Sequence, residues 1–127
     1  KVANDAVSVL LQIETPEAMA NIEEIASVPG VDSLFFGPGD LSGAMGHTGN
    51  LMHEDVVKLM ADGVRRCHAM GKSVGTVGGT PEAVAIYRAS GFDYIGCASD
   101  LGLMMRNCAA VLSTIRSQNI VVQSQGY

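Results

Sequence analysis

Two carboxylates draw attention first. Glu14 follows an apolar run at residues 7–13, and Asp40 follows a second at residues 31–36. If both runs are buried neighbouring strands, about 4.8 Å apart, their carboxyl ends can bring the two side chains to one point. Anions that close repel, and one is driven to protonate unless a cation lies between them. An all-oxygen site completed by water suits a hard octahedral ion such as Mg2+ or Mn2+. Zinc is less natural, because no His or Cys falls at a matching strand end. The same two carboxylates could instead cap the segments that follow them, or pair with an arginine.

Gly37-Pro38-Gly39-Asp40 adds a second capability. Glycines let a ligand approach the backbone, and successive N–H groups can hold a carboxylate. The spacing Gly37-x-Gly39-x-x-Ser42 superficially matches a dinucleotide fingerprint. It is set aside because Ser42 replaces the third glycine, no tight helix opening is expected there, and Asp40 would face a pyrophosphate. Gln12 lies two residues before Glu14 and so projects to the same side of its strand. It could donate to a bound keto acid, or be a satisfied buried amide. His47 and His53 lie in a long loop and could approach a site, although solvated loop histidines are more common. His68 is expected on a helix surface, and Met104 and Met105 in the core.

The elements that must position these residues follow from periodicity and punctuation. Residues 7–13 predict a buried strand. Thr15-Pro16-Glu17 opens a helix carrying Met19, Ile22, Ile25 and Ala26, ended by Pro29-Gly30. A strand at 31–36 leads into a loop at 37–53. A helix spans 54–70, with Val56, Met60, Gly63, Val64 and Cys67 on one stripe and Gly71 after it. A strand at 72–77, a helix opened by Thr80-Pro81-Glu82, a strand at 92–97 and a last helix capped by Ser99-Asp100 complete the pattern. Thr15-Pro16-Glu17-Ala18 recurs as Thr80-Pro81-Glu82-Ala83, and Gly30-Val31-Asp32 as Gly91-Phe92-Asp93. Repeated units and convergent capping explain this echo equally well. Alternating strands and helices imply an α/β fold with a parallel sheet. Four βα units are half of an eight-unit barrel, so the chain reads as an open doubly wound domain or as half of a barrel.

Composition narrows the partners. The chain has 127 residues, 47% hydrophobic and 17% charged, which fits one domain with a packed core. Eight basic against thirteen acidic residues give −5, with no basic run, so no nucleic acid or anionic membrane is expected. No apolar stretch is long enough to span a bilayer, and no signal peptide is visible. Cys67, Cys97 and Cys108 lack a C-x-x-C spacing and are expected as reduced, buried residues of a cytoplasmic protein. The sequence starts without Met, almost directly on an apolar run, which raises the expectation of a longer polypeptide.

The stretches Gln12-Ile13-Glu14-Thr15 and Leu34-Phe35-Phe36-Gly37-Pro38-Gly39-Asp40-Leu41-Ser42, with twenty-five residues between Glu14 and Asp40, resemble the HpcH/HpaI family of metal-dependent pyruvate aldolases. The likeness runs from about Val7 to Ile115 and matches the carboxyl half of a TIM barrel, strands five to eight. It implies that Glu14 and Asp40 are metal ligands, for Mg2+, Mn2+ or Co2+. It further implies that Gln12 contacts substrate and that the N–H groups of Gly39 and Asp40 grip the pyruvate carboxylate. The implied reaction makes or breaks a carbon–carbon bond of a 4-hydroxy-2-oxo acid through a metal-bound pyruvate enolate, with an aldehyde as the other partner. The cation acts as a Lewis acid. No Schiff-base lysine is required, which agrees with Lys58 on a helix and Lys72 at a strand start. The family's arginine and histidine from the first half-barrel have no counterpart here, so no acid–base residue is assigned.

The resemblance also implies a homo-oligomer, because the last helix, rich in Leu and Met, packs on a neighbouring subunit in that family. The competing expectation is a non-catalytic half-barrel that binds a divalent ion and a keto acid, or completes a partner subunit. The polar tail, residues 118–127, carries no structural assignment.

Overall fold

The computed structural model describes Val2 and residues 6–117. The tail at 118–127 lies outside the described residues. The chain divides into two units, Lys1–Cys97 and Ala98–Tyr127. In the first, β1 (Leu10–Ile13), β2 (Ser33–Phe36), β3 (Ser73–Val77) and β4 (Tyr94–Gly96) form one parallel sheet in the order β1-β2-β3-β4. The intervening helices are α1 (Pro16–Ala20), α2 (Ile22–Ser27), α3 (Pro38–Ala44), α4 (Glu54–Ala69) and α5 (Pro81–Ala89). Helix α6 (Asp100–Ser117) belongs to the second unit.

Strand alternation sends Ile13, Leu34, Phe36, Val74 and Thr76 to one face of the sheet. All five are buried, and the four apolar ones belong to one core with Met19, Ile22, Val56, Met60, Val64, Cys67 and Tyr87 from the helices. Gly63 lets α4 come close. A Cβ there would stand 2.5 Å from Met19 Cε and 2.8 Å from the Phe36 ring.

The opposite face carries Leu10, Gln12, Phe35, Gly75, Val77 and Tyr94, and Leu10 and Val77 are 48% and 43% exposed. This corrects the expectation of a buried strand at residues 7–13, since β1 buries only Ile13 fully. Four strands make only part of a barrel, so the face that would line a closed barrel has no opposite wall.

Local chemistry repeats where the sequence does. Thr15 and Thr80 take nearly the same backbone angles (φ −131°, ψ 153° and 155°), and their hydroxyls accept from the N–H of Ala18 and Ala83. Gly30 and Gly91 both sit at φ 92°, where a side chain would be strained. Asp32 and Asp93 each accept a 2.7 Å bond from a backbone N–H of the neighbouring strand segment, Val9 and Val74 respectively. The echo in the sequence is therefore matched by the same local bonds in three dimensions.

Three further expectations change. The helix after β1 breaks at Asn21 into α1 and α2. Arg66 of α4 donates there to the carbonyls of Met19 (2.8 Å) and Ala20 (3.1 Å), satisfying groups the break leaves open. Cys67 is buried, but Cys97 and Cys108 are exposed. Met104 and Met105, expected in a core, are 56% and 59% exposed.

Candidate metal and substrate site

Glu14 leaves β1 at its carboxyl end, half-buried, directly after the buried Ile13. Its carboxylate rests on Gly37, where a Cβ would lie 2.6 Å from Glu14 Oε1 and 2.9 Å from Glu14 Cγ. Gly37 itself is held to β1 by its N–H on the Ile13 carbonyl (3.1 Å). Gln12 Nε2 donates to Glu14 Oε1, so the amide and the carboxylate share one side of the strand as the alternation requires. The amide is exposed and bonded rather than buried.

The segment after β2 differs from expectation. Residues 38–44 form α3, with Gly37 as its N-cap in an extended conformation and Pro38 in the first helical turn. A helix therefore does open here, contrary to expectation, while Ser42 still stands in place of the third glycine of a dinucleotide fingerprint. Pro-Gly reads locally as a turn, and Gly39 and Gly43 each disfavour helix by about 1 kcal/mol. Burial of Pro38, Leu41 and Ser42 offsets this. The first turn exposes Gly39 and Asp40. Their N–H groups precede the first intrahelical bond, Leu41 N–H to the Gly37 carbonyl, and have no partner among the described residues.

Neither carboxylate is used in the ways the sequence left open. Among the described residues neither Glu14 nor Asp40 forms an ion pair, and neither caps a helix. Asp40 is the third residue after the glycine that carries the Glu14 carboxylate, a rise of about 4.5 Å along a helix axis. Oxygen donors of this kind fit a hard divalent cation, and the bare Gly37 leaves room for the carboxylate that would hold it. Neither lysine among the described residues lies at this edge. Lys58 pairs with Glu54 on α4, and Lys72 donates to the Val31 carbonyl.

The HpcH/HpaI aldolase/citrate lyase family matches residues 1–107. The chain belongs to this family. A 2-dehydro-3,6-dideoxy-6-sulfogluconate aldolase of Pseudomonas putida is 49% identical over 91% of the chain and 46% of its own length. A hydroxypyruvate/pyruvate aldolase of Pseudomonas aeruginosa is 36% identical over 83% of the chain and 39% of its own length. The crystal structure of an HpcH/HpaI aldolase/citrate lyase family protein from Burkholderia cenocepacia J2315 superposes with a TM-score of 0.82 at 35% identity, covering 90% of the chain and 44% of that structure. The chain thus spans less than half the length of these HpcH/HpaI relatives, in keeping with a partial barrel.

Two features near the strand ends had weak sequence signals. Tyr94 lies flat over Gly75, where a Cβ would meet its ring at 2.0 Å, and its hydroxyl bonds Ser33 Oγ (2.9 Å) and the Leu34 carbonyl (3.2 Å). A small residue opposite an aromatic one on paired strands was the only cue. A cavity of about 260 Å3 at the end of β3 is lined by Leu51, Met52, Val77, Gly78 and Tyr87, among others. The Tyr87 hydroxyl is buried without a partner among the described residues, and burial pushes its pKa up.

Proposed function

We propose that the protein acts as a metal-dependent aldolase on 4-hydroxy-2-oxo acids, releasing or consuming pyruvate and an aldehyde. The observation that carries this is the Glu14 carboxylate seated on Gly37, the N-cap of a helix whose first turn bears Asp40 and two N–H groups without a partner among the described residues. In this reading Glu14 and Asp40 hold a divalent cation, Mg2+, Mn2+ or Co2+. The N–H groups of Gly39 and Asp40 hold the carboxylate of the keto acid, and Gln12 both orients Glu14 and faces the substrate. The cation would supply Lewis-acid stabilisation of the charge that develops on the keto oxygen as the carbon–carbon bond opens, worth several kcal/mol. None of these residues is assigned as the acid–base group.

The test incubates the chain with a panel of 4-hydroxy-2-oxo acids and Mn2+, Mg2+ or Co2+, and measures pyruvate. Release that stops with a chelator supports the proposal. No release with any metal, together with no divalent affinity, overturns it.

The open face of the sheet favours a second reading, in which the chain binds a cation and a keto acid, or completes a partner subunit, without turnover of its own. Metal binding without pyruvate release would select it. The exposed Leu101, Met105, Val111 and Leu112 of α6 support a homo-oligomer, which light scattering would detect. A cytoplasmic setting is supported by three unpaired cysteines.

A further inference from the structure

Two local turns shape the loop between α3 and α4, with His47 N–H on the Ser42 carbonyl (2.7 Å) and His53 N–H on the Asn50 carbonyl (3.1 Å). This fold brings His47 and His53 into a parallel stack, with centroids 3.5 Å apart and planes 10° apart. Asp55, in the first turn of α4, faces both rings. His47 Nε2 lies 3.8 Å and His53 Nδ1 3.6 Å from Asp55 Oδ2. One donor atom from each of the three residues falls within 4.8 Å of the others.

These separations are too long for hydrogen bonds. They are the right size for ligands sharing an ion. Nitrogen and oxygen donors sit about 2.0–2.2 Å from zinc, so two of them at a tetrahedral angle lie about 3.4 Å apart, and somewhat farther at a wider angle. We propose that His47, His53 and Asp55 form a second metal site, for a borderline transition ion such as Zn2+, separate from the carboxylate site at Glu14 and Asp40.

The donor chemistry separates the two sites. Two imidazoles with one carboxylate suit zinc and its neighbours, whereas carboxylates with water suit magnesium or manganese. The His47 and His53 side chains are 27% and 34% exposed, which leaves the rings room to open from their stack until both lone pairs meet. The Asp55 N–H bond to His53 Nδ1 is long, 3.3 Å, and holds that lone pair loosely. A helix start disfavours a cation, and the Asp55 charge offsets this. Water completes the shell. Binding would tie the 45–53 loop to α4.

The test is a Zn2+ titration of the 15N-labelled chain, reading imidazole nitrogen shifts. His68, the third histidine, bonds Asp93 elsewhere and is the internal control. The expected result is a shift of the His47 and His53 signals with His68 unmoved. The thermal midpoint should also rise with Zn2+, by an increment lost in His47→Ala and kept in Asp40→Asn. His47 caps no helix, so this variant tests binding without removing the His53 cap of α4. Unmoved His47 and His53 signals, or an equal Zn2+ increment in His47→Ala, overturn the proposal.

Discussion

The Glu14 carboxylate and Gly37 are in contact across two strands, with Glu14 Oε1 occupying the place where a Gly37 side chain would begin. Gly37 has φ −90°, which any residue accepts, so the glycine is required here by space and not by backbone angle. Gly37→Ala should therefore fold but push the carboxylate aside. Mn2+ affinity is expected to fall by roughly 10–100-fold, the usual cost of disturbing a group that orients a ligand. Calorimetry beside a thermal melt separates this from unfolding, and unchanged affinity would remove Glu14 from the site.

Asp40 is exposed in the first turn of α3 and carries no structural bond among the described residues. Asp40→Asn should cost the fold only the loss of a charge at a helix start, about 0.3–1 kcal/mol. Metal binding should weaken more than in Gly37→Ala, because a direct ligand is lost. Calorimetric titration with Mn2+ checks this, and an unaltered isotherm would exclude Asp40 as a ligand.

Glu23 gives a pH dependence of known sign. Hydrogen bonds from the Arg66 guanidinium hold its carboxyl down at about 2, from 4.5. The folded value is the lower one, so the stabilisation is complete above about pH 4.5 and is lost as pH falls toward 2. Asp93 acts in the same direction. Desolvation pushes it up, but bonds from His68 and the Val74 N–H outweigh this and lower it. Glu23→Gln should flatten part of the acid limb of the stability curve and leave the Asp93 part. The change at neutral pH should be small, because Glu23 is exposed. Urea melts between pH 2 and 7 measure this.

The cysteines should separate into two reactivity classes. Burial pushes the Cys67 thiol up to about 11, whereas Cys97 and Cys108 are exposed. A thiol reagent at pH 8 should modify Cys97 and Cys108 quickly, and Cys67 only on the timescale of unfolding. Peptide mapping of the labelled chain checks this, and rapid labelling of Cys67 would contradict the packing of α4.

Tyr87→Phe removes a buried hydroxyl that has no partner among the described residues while keeping the ring that packs edge-on against Phe92. Stability should be unchanged or rise by about 1 kcal/mol, since an unsatisfied buried group carries a desolvation cost. A loss of that size in urea melts would show that the hydroxyl is bonded to water in the cavity.

The sequence alone determined the order of the four strands and of the helices between them other than α3, the repeated Thr-Pro-Glu caps and the α4 stripe. These depend on periodicity and on side chains bonding within a few residues of themselves. It also carried the family, through two motifs at fixed separation. Helix α3 was hidden, because Pro-Gly is a turn signal locally and the burial of Leu41 that overrides it is a long-range effect. Exposed Met104 and buried Met60 look alike as residue types, and only packing tells them apart. Tertiary structure alone decided that Glu14 rests on Gly37 and that His47 and His53 stack on each other beside Asp55. Those contacts join residues whose meeting depends on strand register and loop path, and no local propensity encodes either.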